Sequence, residues 1–174
     1  MRITELLTKD TIKMNVEAKD KDSVIKELVS ELDSAGIITD ADKFESAIQK
    51  RESQSTTGVG DGIAIPHAQT KEVKKPAIMF GRSEEGIDYD SLDGQNAHLF
   101  FMIAAPDGQA TTHLDALAKL SGILMNPEAK ERLLKAQNAD EVLNTIDHYD
   151  ESEPSEETAE TVVNNEDKAY IIAV

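Results

Sequence analysis

The chain has 174 residues, of which 39% are apolar, and a formal net charge of −16 at pH 7. This length suits one domain of about 150 residues with an appendage. The negative charge argues against nucleic-acid binding, which needs clustered lysine and arginine, and against adhesion to an anionic membrane surface. The lack of cysteine excludes disulfides and thiolate metal sites. We expect no membrane-spanning segment and no secretory leader, and therefore a cytoplasmic location.

The first third of the chain predicts a strand and two helices. Residues 12–16 alternate apolar and polar side chains, which indicates a strand. Asp22 is the expected N-cap of a helix that Gly36 ends. Asp40 begins a second helix, which we expect to run to about Arg51. Apolar residues spaced by three and four predict that one face of each helix is buried.

The middle of the chain predicts strands around a glycine loop. Residues 58–62 include three glycines, which adopt backbone angles closed to most other residues. The apolar residues 63–65 predict a short buried strand, with His67 at its end. A further strand is expected over 77–81. The almost wholly apolar residues 97–105 predict a central strand that is covered on both faces.

Three helices are expected to complete the domain. Thr111 or Thr112 caps the first, with Leu114 in its inward-facing stripe, and the others span about 127–136 and 139–148. The order is one strand, two helices, several strands and three helices. It predicts a single α/β domain (α+β type), with a mixed central β-sheet sandwiched between helices.

The composition changes near residue 150. We expect a folded domain over 1–149 and an acidic flexible linker over 150–168, where apolar side chains are scarce. Residues 169–174 form an apolar hexapeptide of strand composition, which predicts the first strand of a truncated further domain. The alternative is that this hexapeptide pairs with an edge of the first domain's own sheet.

A phosphorylation-site signature is the most specific pattern in the chain. Glu52 is followed after six residues by Val59 and Gly60, and two residues later by Ile-Ala-Ile-Pro-His-Ala over 63–68. This pattern resembles enzyme IIA domains of the fructose/mannitol class of the bacterial phosphoenolpyruvate-dependent sugar phosphotransferase system, and the similarity extends to about residue 148.

The resemblance implies an activity and its partners. His67 would accept a phosphoryl group from the histidine-containing phosphocarrier protein and pass it to a cysteine of an enzyme IIB domain, without a metal or nucleotide cofactor. Residues 170–174, Tyr-Ile-Ile-Ala-Val, resemble the start of fructose-type IIB domains. This implies a C-terminally fused IIB domain, fructose as the sugar, and contact with a membrane only indirectly, through a IIC domain.

The chemistry of imidazole suits this role for His67. Its neutral nitrogen is nucleophilic near pH 7, and the other ring nitrogen must donate its hydrogen to a fixed acceptor. The sequence alone leaves open whether that acceptor is a backbone carbonyl or a carboxylate, and which nitrogen is phosphorylated.

Three further residues are candidates for the site. His113, near a helix start, would meet free backbone N–H groups, although a histidine with a purely structural role fits the sequence equally well. The resemblance implies that it hydrogen-bonds to the phosphoryl group without carrying it. Arg51 offers guanidinium donors for phosphate, as the resemblance also implies, and the Thr57 hydroxyl is a further donor. Glu52 is expected to be structural.

Two other functions remain open at this point. Related domains act as phosphorylation-dependent regulatory modules, of the nitrogen-regulatory or transcription-regulator type, and could carry the same signature. A metal-dependent enzyme that uses His67 and His113 is disfavoured, because the chain has no HExxH spacing and no accompanying carboxylate motif.

Overall fold

Six strands and five helices make up residues 1–150, the part of the chain that the structure, a computed structural model, describes. The strands are β1 (Ile12–Lys13), β2 (Gly58–Gly60), β3 (Ile63–Ala64), β4 (His67–Thr70), β5 (Ala77–Ile87) and β6 (Ala97–Pro106). The helices are α1 (Lys21–Ser34), α2 (Ala41–Gln54), α3 (Ala110–Leu124), α4 (Pro127–Lys135) and α5 (Ala139–Tyr149). Two short 3-10 turns, Ile3–Glu5 and Lys9–Thr11, precede β1.

One mixed sheet contains all six strands. The order is β1-β5-β6-β3-β2, and β4 also pairs with β6. Strands β5 and β6 are antiparallel, whereas β1 lies parallel to β5, and β3 and β4 lie parallel to β6. β6 is therefore the central strand, as its apolar sequence predicts.

The two faces of the sheet bury two separate aliphatic cores. Phe100 and Met102 of β6 join the core beneath α1 and α2. Phe101 and Ile103 alternate with them and join the core beneath α3, α4 and α5. Because side chains alternate across a strand, one apolar strand supplies both cores. The prediction of a single α/β domain with a mixed sheet between helical layers is confirmed.

Helix starts are where the sequence interpretation is partly wrong. Asp20, not Asp22, caps α1, and its side chain accepts a hydrogen bond from the Ser23 N–H at 2.8 Å. Asp40 caps α2 as predicted. Neither threonine caps α3, which already begins at Ala110, and Leu114 is 63% exposed. Apolar residues surround α3 on most sides, so the phase of its buried stripe is poorly defined by sequence.

The glycine segment is also more ordered than a loop. β2 pairs antiparallel with β3, and the turn between them contains Asp61 and Gly62, both with positive φ. Positive φ at both turn residues matches the right-handed twist of a two-residue hairpin. His67 does not end the strand that precedes it. β3 ends at Ala64, Pro66 lies between the two strands, and His67 begins β4, which the sequence analysis missed.

Asp150 belongs to the folded domain rather than to the linker. Its residue is 6% exposed, and its Oδ2 accepts a hydrogen bond from the Ile3 N–H at 2.7 Å. Beside it, the Arg2 guanidinium donates to the Asp147 carboxylate at 2.8 Å. The rest of the expected linker and the terminal strand over 169–174 lie outside the described residues.

Candidate active site

The imidazole of His67 is fixed by a bond to the backbone. Its Nδ1 lies 2.8 Å from the Ile65 carbonyl oxygen. A carbonyl only accepts hydrogen bonds, so Nδ1 carries the hydrogen and Nε2 keeps a free lone pair. The sequence left the acceptor open, and the structure shows that it is a backbone carbonyl, with Nε2 as the ring nitrogen that keeps a free lone pair.

Pro66 and its neighbours explain why this carbonyl is in place. The Pro66 oxygen accepts from the Ile103 N–H of β6 at 2.9 Å, and the Ile65 N–H donates to the Thr57 oxygen at 3.0 Å. The residues on both sides of the Ile65 carbonyl are thus tied, one to β6 and the other to the residue that precedes β2. Proline also restricts Ile65 to an extended backbone.

His113 lies beside His67, although the two residues are remote in sequence. Their ring centroids are 5.2 Å apart, with the planes inclined at 59°. His113 stands in the first turn of α3. Its Nε2 is buried and, within residues 1–150, has no hydrogen-bond partner. A polar atom of this kind is available to a group that enters the site.

Arg51 and Thr57 lie at different depths. The half-buried Arg51 side chain donates to the Ser55 carbonyl at 2.8 Å, and its charge acts on His67. Thr57 is 3% exposed, and its hydroxyl donates to the Glu52 carboxylate. The phosphate-binding role of Thr57 stays a prediction, and its hydroxyl hydrogen is engaged elsewhere in this structure.

The structural role expected for Glu52 stays a prediction, and its carboxylate has partners that the sequence analysis missed. Its buried carboxylate contacts the Lys21 ammonium at 3.0 Å and accepts from the Tyr89 hydroxyl at 3.1 Å. Lys21 begins α1 and Tyr89 follows β5, so no local spacing in the sequence connects them with Glu52. Only the packing of these elements brings the three together.

Burial favours the neutral form of both histidines. Desolvation is the main cause that lowers the pKa of His67 below its usual 6.5, with the Arg51 charge acting in the same direction. The hydrogen bond to Ile65 and the Glu52 charge oppose this shift. Desolvation also lowers the pKa of His113, with His67 as the second cause. A neutral imidazole is the nucleophilic form.

Residues 1–150 contain neither a metal-binding cluster nor a helix suited to a membrane. No group of three or more His, Asp or Glu side chains in this range is arranged to hold a metal ion. No helix in the same range has both the length and the apolar character that a membrane crossing requires.

Known proteins resemble this chain in sequence and in structure. The PTS system fructose-specific EIIABC component of Bacillus subtilis is 55% identical over 150 residues, which are 86% of this chain and 24% of that protein. The chain thus spans about a quarter of that relative. The PTS system fructose-specific EIIA component of Haloferax volcanii is 41% identical over 72% of this chain and 82% of its own length.

The fold has solved counterparts as well. The crystal structure of nitrogen regulatory protein IIA-Ntr from Neisseria meningitidis is 28% identical, with a TM-score of 0.76 over 83% of this chain and 98% of that one. The sequence pattern of the family "Phosphoenolpyruvate-dependent sugar phosphotransferase system, EIIA 2" matches residues 5–149. The chain therefore belongs to this family, and it is a phosphotransferase domain of the sugar phosphotransferase system.

Proposed function

We propose that Nε2 of His67 accepts a phosphoryl group from the histidine-containing phosphocarrier protein and passes it to a cysteine of an enzyme IIB domain. The observation that carries this proposal is the bond between Nδ1 and the Ile65 carbonyl, 2.8 Å long, which leaves Nε2 as the free nucleophile. The neutral state that burial favours supports the same role.

The transfer balances without a cofactor. The Nε2 lone pair forms the new N–P bond, while the donor's N–P bond breaks and its electron pair returns to the donor imidazole. The His67 ring then carries positive charge, which the Ile65 carbonyl stabilises through the Nδ1 hydrogen. In the second step a cysteine thiolate attacks phosphorus, and the N–P electron pair returns to Nε2.

His113 and Arg51 would stabilise the phosphoryl group during both steps. The transition state spreads negative charge over three oxygens, so catalysis consists mainly of positioning and charge stabilisation. The Arg51 guanidinium and the N–H groups of the first turn of α3 supply donors. His113 lies close enough to His67 to join them, with ring centroids 5.2 Å apart.

The proposed pathway is fructose uptake. Two relatives named as fructose-specific support this sugar. The Bacillus subtilis relative is an EIIABC component, which supports a IIB acceptor in the same polypeptide, with residues 151–168 as the acidic tether and 169–174 as the first IIB strand. The reaction would take place in the cytoplasm, with membrane contact only through a IIC domain.

Phosphosite mapping tests this proposal. The full chain is incubated with phosphoenolpyruvate, the general phosphotransferase proteins and a fructose-type IIB domain. We expect an acid-labile, alkali-stable adduct on His67, which a His67→Gln variant lacks. His98→Gln is the matched control, because His98 is also half-buried and its Nδ1 lies 3.0 Å from the Ser83 carbonyl oxygen. Normal labelling of His67→Gln contradicts the proposal.

A regulatory role is the second candidate. The similarity to a nitrogen regulatory protein over 83% of this chain favours it. The same experiment separates the two functions. A relay domain passes its label to the IIB cysteine and becomes unlabelled, whereas a regulatory module is labelled on His67 but does not transfer the group.

A further inference from the structure

The Glu52 carboxylate is saturated with donors and makes no direct hydrogen bond to His67 among those found in residues 1–150. Oε1 accepts from the Thr57 N–H at 3.0 Å and contacts the Lys21 ammonium at 3.0 Å. Oε2 accepts from the hydroxyls of Thr57 and Tyr89. The side chain of Glu52 is 3% exposed. A buried charge of this kind is stable only where its partners satisfy it, so the geometry of the cluster is tightly determined.

A chain of three hydrogen bonds leads from this carboxylate to His67. Glu52 Oε1 holds the N–H of Thr57, and the carbonyl of Thr57 holds the N–H of Ile65 at 3.0 Å. The carbonyl of Ile65 then accepts the hydrogen of His67 Nδ1 at 2.8 Å. Each intermediate residue is thus held at both its N–H and its C=O group, so a shift of Thr57 moves the acceptor of Nδ1.

The other donors keep the carboxylate in place. The Lys21 ammonium compensates its charge and also lies 4.7 Å from the centre of the Tyr89 ring. Burial, and secondly the Glu52 charge, raise the pKa of Tyr89 well above its usual 10.0, so its hydroxyl stays protonated and remains a donor.

We propose that Glu52 is a positioning residue for the phosphoryl-accepting histidine: it holds Thr57, and through Ile65 it keeps the hydrogen of His67 on Nδ1 and Nε2 free. This inference rests on the proposed role of His67 as acceptor. Without this chain of hydrogen bonds, the imidazole also populates the tautomer with hydrogen on Nε2. In that tautomer Nε2 has no free lone pair and cannot attack phosphorus. A displacement of about 1 Å is enough to slow such a reaction about a hundredfold.

A second ion pair in the same two helices provides a matched control. Lys26 of α1 and Glu45 of α2 are 3.1 Å apart, and the Glu45 side chain is 19% exposed. Like Lys21 and Glu52, this pair joins α1 to α2. Unlike Glu52, Glu45 makes no side-chain hydrogen bond to residues 55–66 within the described part of the chain, so the two pairs separate helix packing from histidine positioning.

The test compares two double variants. Lys21→Met/Glu52→Met replaces the ion pair by apolar side chains of similar volume, so that neither charge is left unpaired. Because the buried Thr57 and Tyr89 donors lose their acceptor, thermal unfolding of the variant is measured first, and all other measurements are made where it is folded. Lys26→Met/Glu45→Met is the control. Nitrogen-15 NMR of the unphosphorylated full chain measures the His67 tautomer, and the rate of phosphorylation is measured separately. We expect the first variant to populate the Nε2–H tautomer and to react about ten- to a hundredfold more slowly, and the control to match the unmodified chain.

A conservative variant sharpens the result. In Glu52→Gln the amide oxygen still accepts from Thr57, and the amide hydrogens can bond to the two hydroxyls, so we expect the normal tautomer. The proposal is overturned if Lys21→Met/Glu52→Met keeps the normal tautomer and rate, or if Glu52→Gln loses both. The tautomer is measured on the unphosphorylated chain, so this measurement does not depend on phosphoryl transfer. Labelling of the unmodified chain on another residue would therefore refute the function of His67, and not the positioning by Glu52.

Discussion

The two histidines of the site stand in contrasting surroundings. Around His67, consecutive hydrogen bonds link Glu52 to Thr57, Thr57 to Ile65, and Ile65 to Nδ1 of the imidazole. At the start of α3 the situation is reversed. The Gln109 side chain makes no capping bond among the described residues, and within the same range His113 Nε2 is buried without a partner.

In the proposed reaction, this difference would match two separate tasks of phosphoryl transfer. A nucleophile works best when its orientation is fixed before the reaction, so its hydrogen bonds are made in advance. Groups that stabilise the transferred phosphoryl must keep unused donors. The N–H groups in the first turn of a helix meet this condition, because they have no partners within the helix. The surroundings of His67 are preorganised by hydrogen bonds that are already formed, and the start of α3 by N–H groups that have no partner within the helix.

The largest expected effect on transfer comes from His113, at the start of α3. His113→Ala should still accept phosphate on His67 but transfer it slowly, because loss of one charge-stabilising donor raises the barrier by about 2–4 kcal/mol. Steady-state transfer to a IIB domain measures this. His148→Ala, in the exposed last turn of α5, is the control. A transfer rate for His113→Ala within about twofold of normal would leave His113 with a packing role only.

Variants of Arg51 test whether its guanidinium stabilises the transferred phosphoryl group. Arg51→Ala should weaken transfer by about 1.5–3 kcal/mol, the usual value of a hydrogen bond to a charged group. Arg51→Lys keeps the charge but loses the fork of donors, so its rate should lie between the two. The guanidinium also binds the Ser55 carbonyl, so thermal unfolding of both variants must be compared. Equal rates in all three proteins would contradict a role in phosphate binding.

A stability variant away from both regions checks that site geometry is local. Asp150→Ala removes the buried acceptor of the Ile3 N–H and should lower the free energy of unfolding by about 1–3 kcal/mol. Phosphorylation of His67 should proceed at its normal rate at a temperature where the variant is folded. A slowed reaction there would mean that the contrast between the two histidines depends on the whole fold.

The smallest effect concerns pH. Burial lowers the pKa of both histidines in the folded state, so the unfolded chain binds protons more readily. Stability should therefore be complete above the unfolded pKa of about 6.5 and fall as the pH drops below it towards the folded values. Urea unfolding between about pH 7.5 and 5.5 measures this slope, and His67→Gln should reduce it. A slope unchanged in His67→Gln would assign it to other groups.

Strong periodicity made much of the fold predictable. The apolar run of β6 and the spaced aliphatic residues of α1 and α2 give both the central strand and the helical layers. β4 was missed because its sequence, His-Ala-Gln-Thr, has no apolar alternation, and it exists as a strand only through its pairing with β6. The order of helices and strands was sufficient for the fold class.

The site was predictable only where it is local. His67 stands within a continuous motif, and its candidate role follows from that motif. The Ile65 acceptor is local, but it follows from the backbone conformation around Pro66, which residue types alone do not specify. The proximity of His113 depends on the packing of β4 and α3 against β6. The same holds for the contact of Glu52 with Lys21 and Tyr89, which come from distant parts of the chain and have no shared sequence pattern.

The positions of both histidines are related to strand β6. His67 is in register with Ile103 of this strand, and the strand ends at Pro106, a short turn before α3 carries His113. The spacing between the rings therefore also depends on how His113 is placed relative to the buried face of α3, which begins at Ala116. One residue added within the helix between His113 and Ala116 would rotate His113 by about 100° about the helix axis, which would swing it away from His67 while both cores kept their composition. Helical phase, and not side-chain identity alone, thus limits how far this chain can change and still keep its two histidines adjacent.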